Sequence, residues 1–140
     1  MSAGIEAVEI ISPWLFSTLS GDSVLSGMVG GRIFEAPYPT ESAMPFVVFD
    51  PSGHRDVIGV GGQRIDTTNT YVVKAISTGT GWGVVLPIAK RIDALLHNVT
   101  ATTAHGAITC VRESSIVMPE AVQAIQYRHL GGLYRIRAAS

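Results

Sequence analysis

The sequence predicts an α+β domain: a mostly antiparallel sheet of about five strands packed with two or three α-helices. Three observations carry this. The chain has 140 residues, the length over which one hydrophobic core is usually built. Hydrophobic residues make up 46% of it, ample for a core and against disorder. Finally, a few helix-period segments are followed by runs rich in Val, Ile, Thr and Tyr, joined by short turn-like stretches that suit hairpins.

At the start, Ile5, Val8, Ile11, Leu15 and Leu19 recur at spacings of three and four, the period of an amphipathic helix. Pro13 predicts a kink, or a split into a lead-in turn and a helix from about Ser12. Ser20-Gly-Asp-Ser is a break, and Asp22 or Ser23 can cap a short helix through Met28 or Val29, ended by Gly30-Gly31. Arg32 to Glu35 reads as a short strand. Ala36 to Pro45, with three prolines, reads as an extended connector. Phe46-Val-Val-Phe is apolar on both faces, which suits a central strand covered on each side. Asp50 to Gln63 holds Pro51 and four glycines and predicts a long mobile loop.

Arg64 to Ser77 predicts a long strand. Gly79-Thr-Gly-Trp-Gly then turns into a helix ending near His97. Its buried stripe is Val85, Ile88, Ala89, Ile92, Leu95 and Leu96, with Lys90, Arg91, Asp93 and His97 outside it. Asn98 to Gly106 is expected to be a polar loop, Ala107 to Met118 a strand, and Pro119-Glu120 a turn. In Ala121 to Ala138 the apolar positions are odd before Gly131-Gly132 (Ile125, Tyr127) and even after it (Tyr134, Ile136). A strand alternates with period two, so the switch predicts a bulge at the glycine pair, which would bring Arg128, Arg135 and Arg137 onto one face. Such a stripe is either a solvated strand face or a contact with another subunit or partner.

Charged residues are only 15% of the chain, against roughly 25% in ordinary soluble domains. That deficit is a hint of surface buried between subunits. The net charge of -1 excludes nucleic-acid binding through bulk charge. Residues 1–70 hold three basic and eight acidic groups, and residues 71–140 hold seven basic and three acidic groups. Were these halves separate in space, one subunit's basic patch would meet the next one's acidic patch, head to tail, the contact that closes rings; scattered solvated charges are the other reading. The first Lys or Arg is Arg32, and apolar runs such as Val84 to Ala89 fall far short of the ~20 residues that cross a bilayer. The expectation is therefore a chain with no signal peptide and no membrane span. Cys110 is the only cysteine, so no internal disulfide forms, and its strand-like setting predicts a buried thiol.

Chemical motifs are weak. Gly79-x-Gly81-x-Gly83 is one residue short of a dinucleotide fingerprint and lacks the acidic residue about 20 positions on. Gly59-Val-Gly-Gly and Gly27-Met-Val-Gly-Gly lack the Lys-Ser/Thr of a phosphate loop and read as turns. His54, His97, His105 and His129 show no metal-ligand spacing, and no nucleophile elbow or carboxylate pair stands out. The expectation is no catalytic, cofactor or metal site.

The ordered set of segments nevertheless resembles one family. It runs Leu25-Ser-Gly-Met-Val-Gly-Gly-Arg-Ile-Phe, Pro45-Phe-Val-Val-Phe, Tyr71-Val-Val-Lys, Ile88-Ala-Lys-Arg-Ile-Asp-Ala-Leu-Leu-His and Tyr127-Arg-His-Leu-Gly-Gly-Leu-Tyr-Arg-Ile. In this order, from about Trp14 to Arg137, it is similar to the tail-completion, or tail-terminator, proteins of long-tailed bacteriophages and gene transfer agents. The resemblance implies a structural virion protein, not an enzyme, that forms a six-fold ring on the head-proximal end of the tail tube. There it would stop tube growth and offer a docking surface to the head-side connector. The implied partners are other copies of the chain, the tail tube protein and the head–tail connector or stopper, without membrane or sequence-specific nucleic acid. The implied location is the virion tail, with assembly in the host cytoplasm. A neck or head-closure protein, a tail-tube subunit, and a small-ligand-binding or enzymatic domain are the competing readings. Candidate contact residues are Arg128, Arg135 and Arg137 on the last strand, and His54, Arg55 and Asp56 in the expected long loop.

Overall fold

Pro13 sits in the first turn of α1 (Ser12–Ser20), where its missing N–H is not needed, and a π-helical turn (Ala7–Ile11) leads into it. The computed structural model describes 7–39, 41–58, 60–62 and 64–139, and for 7, 54–58, 64–67 and 139 the backbone alone. Asp22 caps α2 (Ser23–Val29) by accepting the Leu25 N–H at 2.9 Å, and Gly30 ends it with φ 60°, a left-handed conformation that only glycine adopts cheaply. Both ends of this helix are as the sequence predicts.

There follow β1 (Ile33–Glu35), β2 (Phe46–Ile58), β3 (Arg64–Thr78), α3 (Val85–Leu96), β4 (Val99–Thr103), β5 (Gly106–Val122) and β6 (Ile125–Ala139). The strands form one six-stranded mixed sheet in the order β1-β2-β3-β6-β5-β4. Only β1 and β2 run parallel; the other pairs are antiparallel. The architecture is α+β.

The helices cover one face. Leu15 and Leu19 of α1, Leu25 and Val29 of α2, and Val85, Ile88, Ile92 and Leu96 of α3 pack on Val47, Phe49, Tyr71, Val73, Tyr134 and Ile136. Each such side chain contributes ~1.5–3 kcal/mol relative to exposure. A 12-residue helix is marginal alone, so this stripe rather than propensity holds α3 in place. Ala89 and Leu95 are only half-buried. The opposite face carries a second cluster, Phe46, Val48 and Ile76, covered by Phe34, Ala36, Met44 and Tyr127. The Phe46 ring meets Phe34 edge-on at 5.8 Å and Tyr38 at 4.9 Å. The connector after β1 thus closes over β2, which is covered on both sides as its residues predict.

Four expectations are overturned. The loop expected from Asp50 to Gln63 is mostly strand: β2 continues to Ile58 along β3, absorbing Pro51 and Gly53 at a register shift between them. Gly61 and Gly62, at φ 90° and 82°, lie in the turn, while 59 and 63 fall outside the described residues. The loop expected from Asn98 to Gly106 contains β4, whose Thr-rich run pairs with β5. The turn expected at Pro119-Glu120 is strand as well, and the chain reverses at Gln123 and Ala124, with φ 50° and 67°. Proline is tolerated there because β5 has no neighbour on its outer side at that level, so the missing N–H breaks no ladder bond.

The fourth concerns Gly131-Gly132. β6 passes β3 in unbroken register from Tyr127 to Ala138, and the irregularity lies in β5, between Arg112 and Ser114, opposite Tyr134 and Leu133. The apolar parity switches because different faces of β6 are covered at its two ends: Tyr127 joins the second cluster, and Tyr134 and Ile136 the helix-side core. The glycines answer a different demand. A Cβ on Gly131 would lie 2.5 Å from Lys74 Cα and closer still to the Val73 carbonyl oxygen, and one on Gly132 would lie 2.9 Å from the Ser114 carbonyl oxygen. Without an extra residue, Arg128 stands on the helix side of the sheet and Arg135 and Arg137 on the other, so the three do not share a face.

Candidate functional site

Beyond Cys110, β5 loses its outer neighbour, because β4 pairs only with Gly106 to Cys110. The Arg112 N–H donates to His97 Nδ1 at 3.1 Å, the last bond that closes this edge. From there to the Gln123-Ala124 turn, β5 is the uncovered edge of the sheet, while β6 stays paired with β3 as far as Tyr127, so only Ala121–Gln126 runs beyond β3 as a two-stranded tip; this edge and tip form the arm. Almost every residue from Glu113 to Gln126 is exposed, including Val117 (61%), Met118 (38%), Val122 (46%) and Ile125 (47%). Single exposed aliphatics are ordinary on a protein surface; four along one sheet edge and its hairpin tip are not.

Register assigns these side chains to faces. The cross-strand pairs Val117–Leu130 and Ser115–Gly132 lie on the helix side, and Met118–His129, Glu120–Tyr127 and Val122–Ile125 on the other. On the helix side, the arm and α3 enclose an open groove of about 370 Å³ with Leu86, Ala89, Val117 and Leu130 as apolar walls and Lys90, Asp93 and Arg112 at its margin. Asp93 is engaged twice: the Tyr134 hydroxyl donates to it at 3.0 Å, and Arg112 Nε lies 3.5 Å away. Burial first, then the Asp93 hydrogen bond, pushes the Tyr134 hydroxyl well above the usual phenol range.

On the other side, buried His129 faces Glu120, with Nε2 3.1 Å from Oε1. Burial first and the Lys74 charge second hold its ring below the ordinary histidine range, although Glu120 acts the other way. A neutral ring with its proton on Nε2 donates to the carboxylate and leaves the buried Nδ1 without a hydrogen-bond partner among the described residues. Burial likewise lowers Lys74.

The residues singled out by sequence fall in three places. Arg128 reaches back over the loop before α3: Nε donates to the Gly79 carbonyl at 3.3 Å, Nη2 to the Thr80 carbonyl at 2.8 Å and to Gln126 Oε1 at 3.1 Å, and the guanidinium lies 5.1 Å from the Trp82 ring centroid. It pins that loop. Arg135 and Arg137 are exposed on the opposite face, across from Thr70 and Thr68 of β3. His54, Arg55 and Asp56 pair through their backbones with Asn69, Thr68 and Thr67, and their side chains lie outside the described residues. Cys110 is buried, and burial raises its thiol to about 12, far from thiolate chemistry at neutral pH.

The arm was missed at the sequence level because Pro119-Glu120 read as its end. Its signal was the alternation Ile116, Met118, Val122, which carries on past the proline. Among the described residues no group of three or more His, Cys, Asp or Glu converges as a metal site. Nor is any helix there long and apolar enough to cross a membrane.

No protein-family model matches the chain, and no curated protein matches it in sequence. Its fold, however, is shared with solved structures. A chain from the virion of a native gene transfer agent particle is 17% identical, with a TM-score of 0.74 over 90% of this chain and 92% of that one. A second solved chain is 13% identical, with a TM-score of 0.63 over 95% of each. At these identities the likeness is one of fold, and it runs nearly the whole length of the chains compared.

Proposed function

We propose that this chain is a structural virion protein of a phage or gene transfer agent: a terminator that closes as a ring, six-fold by resemblance, on the head-proximal end of the tail tube. The observation that carries the reading is the likeness of fold, over nine-tenths of the chain, to a component of a gene transfer agent virion. Two features support it. Charged residues are sparse at 15%, as expected where much of the surface faces protein. The uncovered edge of β5 and its hairpin tip also expose Val117, Met118, Val122 and Ile125, more apolar surface than water alone favours.

A terminator works by geometry. One face of the ring fits the last ring of the tube and the other provides no further tube site, so growth stops there and the head-side connector docks instead. No bond is made or broken, and no cofactor enters.

The test is omission of the gene from a strain that produces the particle, read by electron microscopy. Overlong tubes without heads are the expected result. Filled heads beside tails of normal length would replace the terminator with a neck protein, and loss of all tubes would replace it with a tube subunit.

A further inference from the structure

We infer that the β5–β6 arm is where one copy of this chain holds the next. The outward face of one arm (Met118, Val122 and Ile125, with Glu120 among them) seats in the groove of a second copy, between α3 and its arm. This rests on the ring reading above and names the surface that such a ring would use.

The arm presents two complementary faces that cannot meet within one molecule. One carries an apolar strip, with Met118 38%, Val122 46% and Ile125 47% exposed. The other faces a groove of about 370 Å³ walled by Leu86, Val117 and Leu130, two of them well exposed at 43% and 61% for Leu86 and Val117. Because the two lie on opposite faces of the same sheet edge, one chain cannot bring its own two faces together, and a neighbouring copy can. Contact between two different patches is head-to-tail, the kind that closes into a ring when the rotation permits.

Charge agrees with this seating. Glu120 is the only charged residue from 116 to 127, and His129 occupies one of its carboxylate oxygens at 3.1 Å. At the groove, Arg112 is already beside Asp93 at 3.5 Å, whereas exposed Lys90 makes no ion pair with a described residue. An incoming Glu120 carboxylate therefore finds the Lys90 ammonium. Such a rim pair adds little affinity but fixes orientation.

Strand addition along the outer edge of β5 is disfavoured. Pro119 has no N–H to offer there, and His97 already takes the Arg112 N–H. The contact is thus face to face, through side chains.

The test uses the full chain. Native mass of the wild type is compared with that of a Val122→Asp/Ile125→Asp variant, whose changes lie at exposed sites near the arm's tip and leave circular dichroism unchanged. The expected result is an oligomer for the wild type and loss to the 14.8 kDa protomer for the variant. A Leu86→Cys/Val122→Cys variant treated with a short bismaleimide should give a covalent ladder that stops at the ring number. Either single-cysteine variant should give none, since Cys110 is buried. A wild-type ring that survives the aspartates and yields no ladder overturns the arm contact and leaves the ring standing. A wild type that stays monomeric overturns the ring reading itself, and the arm contact with it.

Discussion

The Arg91 guanidinium clasps the Asp22 carboxylate with two hydrogen bonds, Nε at 2.8 Å and Nη2 at 2.6 Å, joining α3 to the start of α2 across 69 residues of sequence. The same carboxylate accepts the Leu25 N–H, so one side chain both caps α2 and ties it to the helix that packs on the sheet. The Arg91 hydrogen bond first, and the Leu25 amide second, hold the Asp22 carboxyl down to about 2.

That depression sets a pH dependence. A carboxyl bound more tightly as its anion stabilises the fold fully above its unfolded pKa, near 3.8, and the contribution fades as pH falls through about 2. Asp22→Asn keeps a capping side chain and loses the ion pair. It should melt below the wild type at pH 7, with the gap closing between pH 4 and pH 2; Asp22→Ala, which also loses the cap, should melt lower than Asp22→Asn at either pH.

Two glycines should answer oppositely to alanine. At Gly131 the added Cβ meets Lys74 and Val73 backbone, which cannot swing aside, so Gly131→Ala should destabilise by more than ~3 kcal/mol or abolish soluble expression. Gly27 lies in α2 with nothing within 4 Å of its would-be Cβ. Gly27→Ala should stabilise by ~0.5–1 kcal/mol, read as a rise in chemical-denaturation midpoint.

Arg128 is placed to hold a loop. Arg128→Ala removes its bonds to the Gly79 and Thr80 carbonyls and its stacking on Trp82, and should cost about 1 kcal/mol. Trp82 emission should shift to the red as that side of the ring opens to water. Unchanged emission would mean that the loop is held by other contacts.

Arg135 and Arg137 lie on the face away from the helices and test whether that face also takes part in assembly. The pair Arg135→Glu/Arg137→Glu should weaken ring formation, read by sizing, if it does. Unchanged sizing would confine the subunit contact to other surfaces.

How much was legible follows from which forces act locally. Pro13, the Asp22 cap, Gly30 and the α3 stripe were readable because capping, φ restriction and a 3.6-residue period act within a turn or two of chain. The extension of β2 past Pro51, the β4 hairpin and the length of β5 past Pro119 were not, because ladder bonds to distant strands outweigh local breakers. Gly131-Gly132 shows the difference most sharply. Its parity switch was real, but it reported a sheet covered on different faces at its two ends rather than an inserted residue. The candidate site suffered the same way: the arm exists only through pairing of Ser114–Val122 with Ile125–Leu133, and a turn placed at Pro119-Glu120 erased it.

The central claim, that this chain closes on itself into a ring that ends a tube, is tested most directly by the native mass of the purified full-length protein, with negative-stain images of the same sample. A single closed species of fixed stoichiometry that grows no further as concentration rises is the predicted result. A monomer at every concentration, or open filaments that lengthen with it, would contradict the claim.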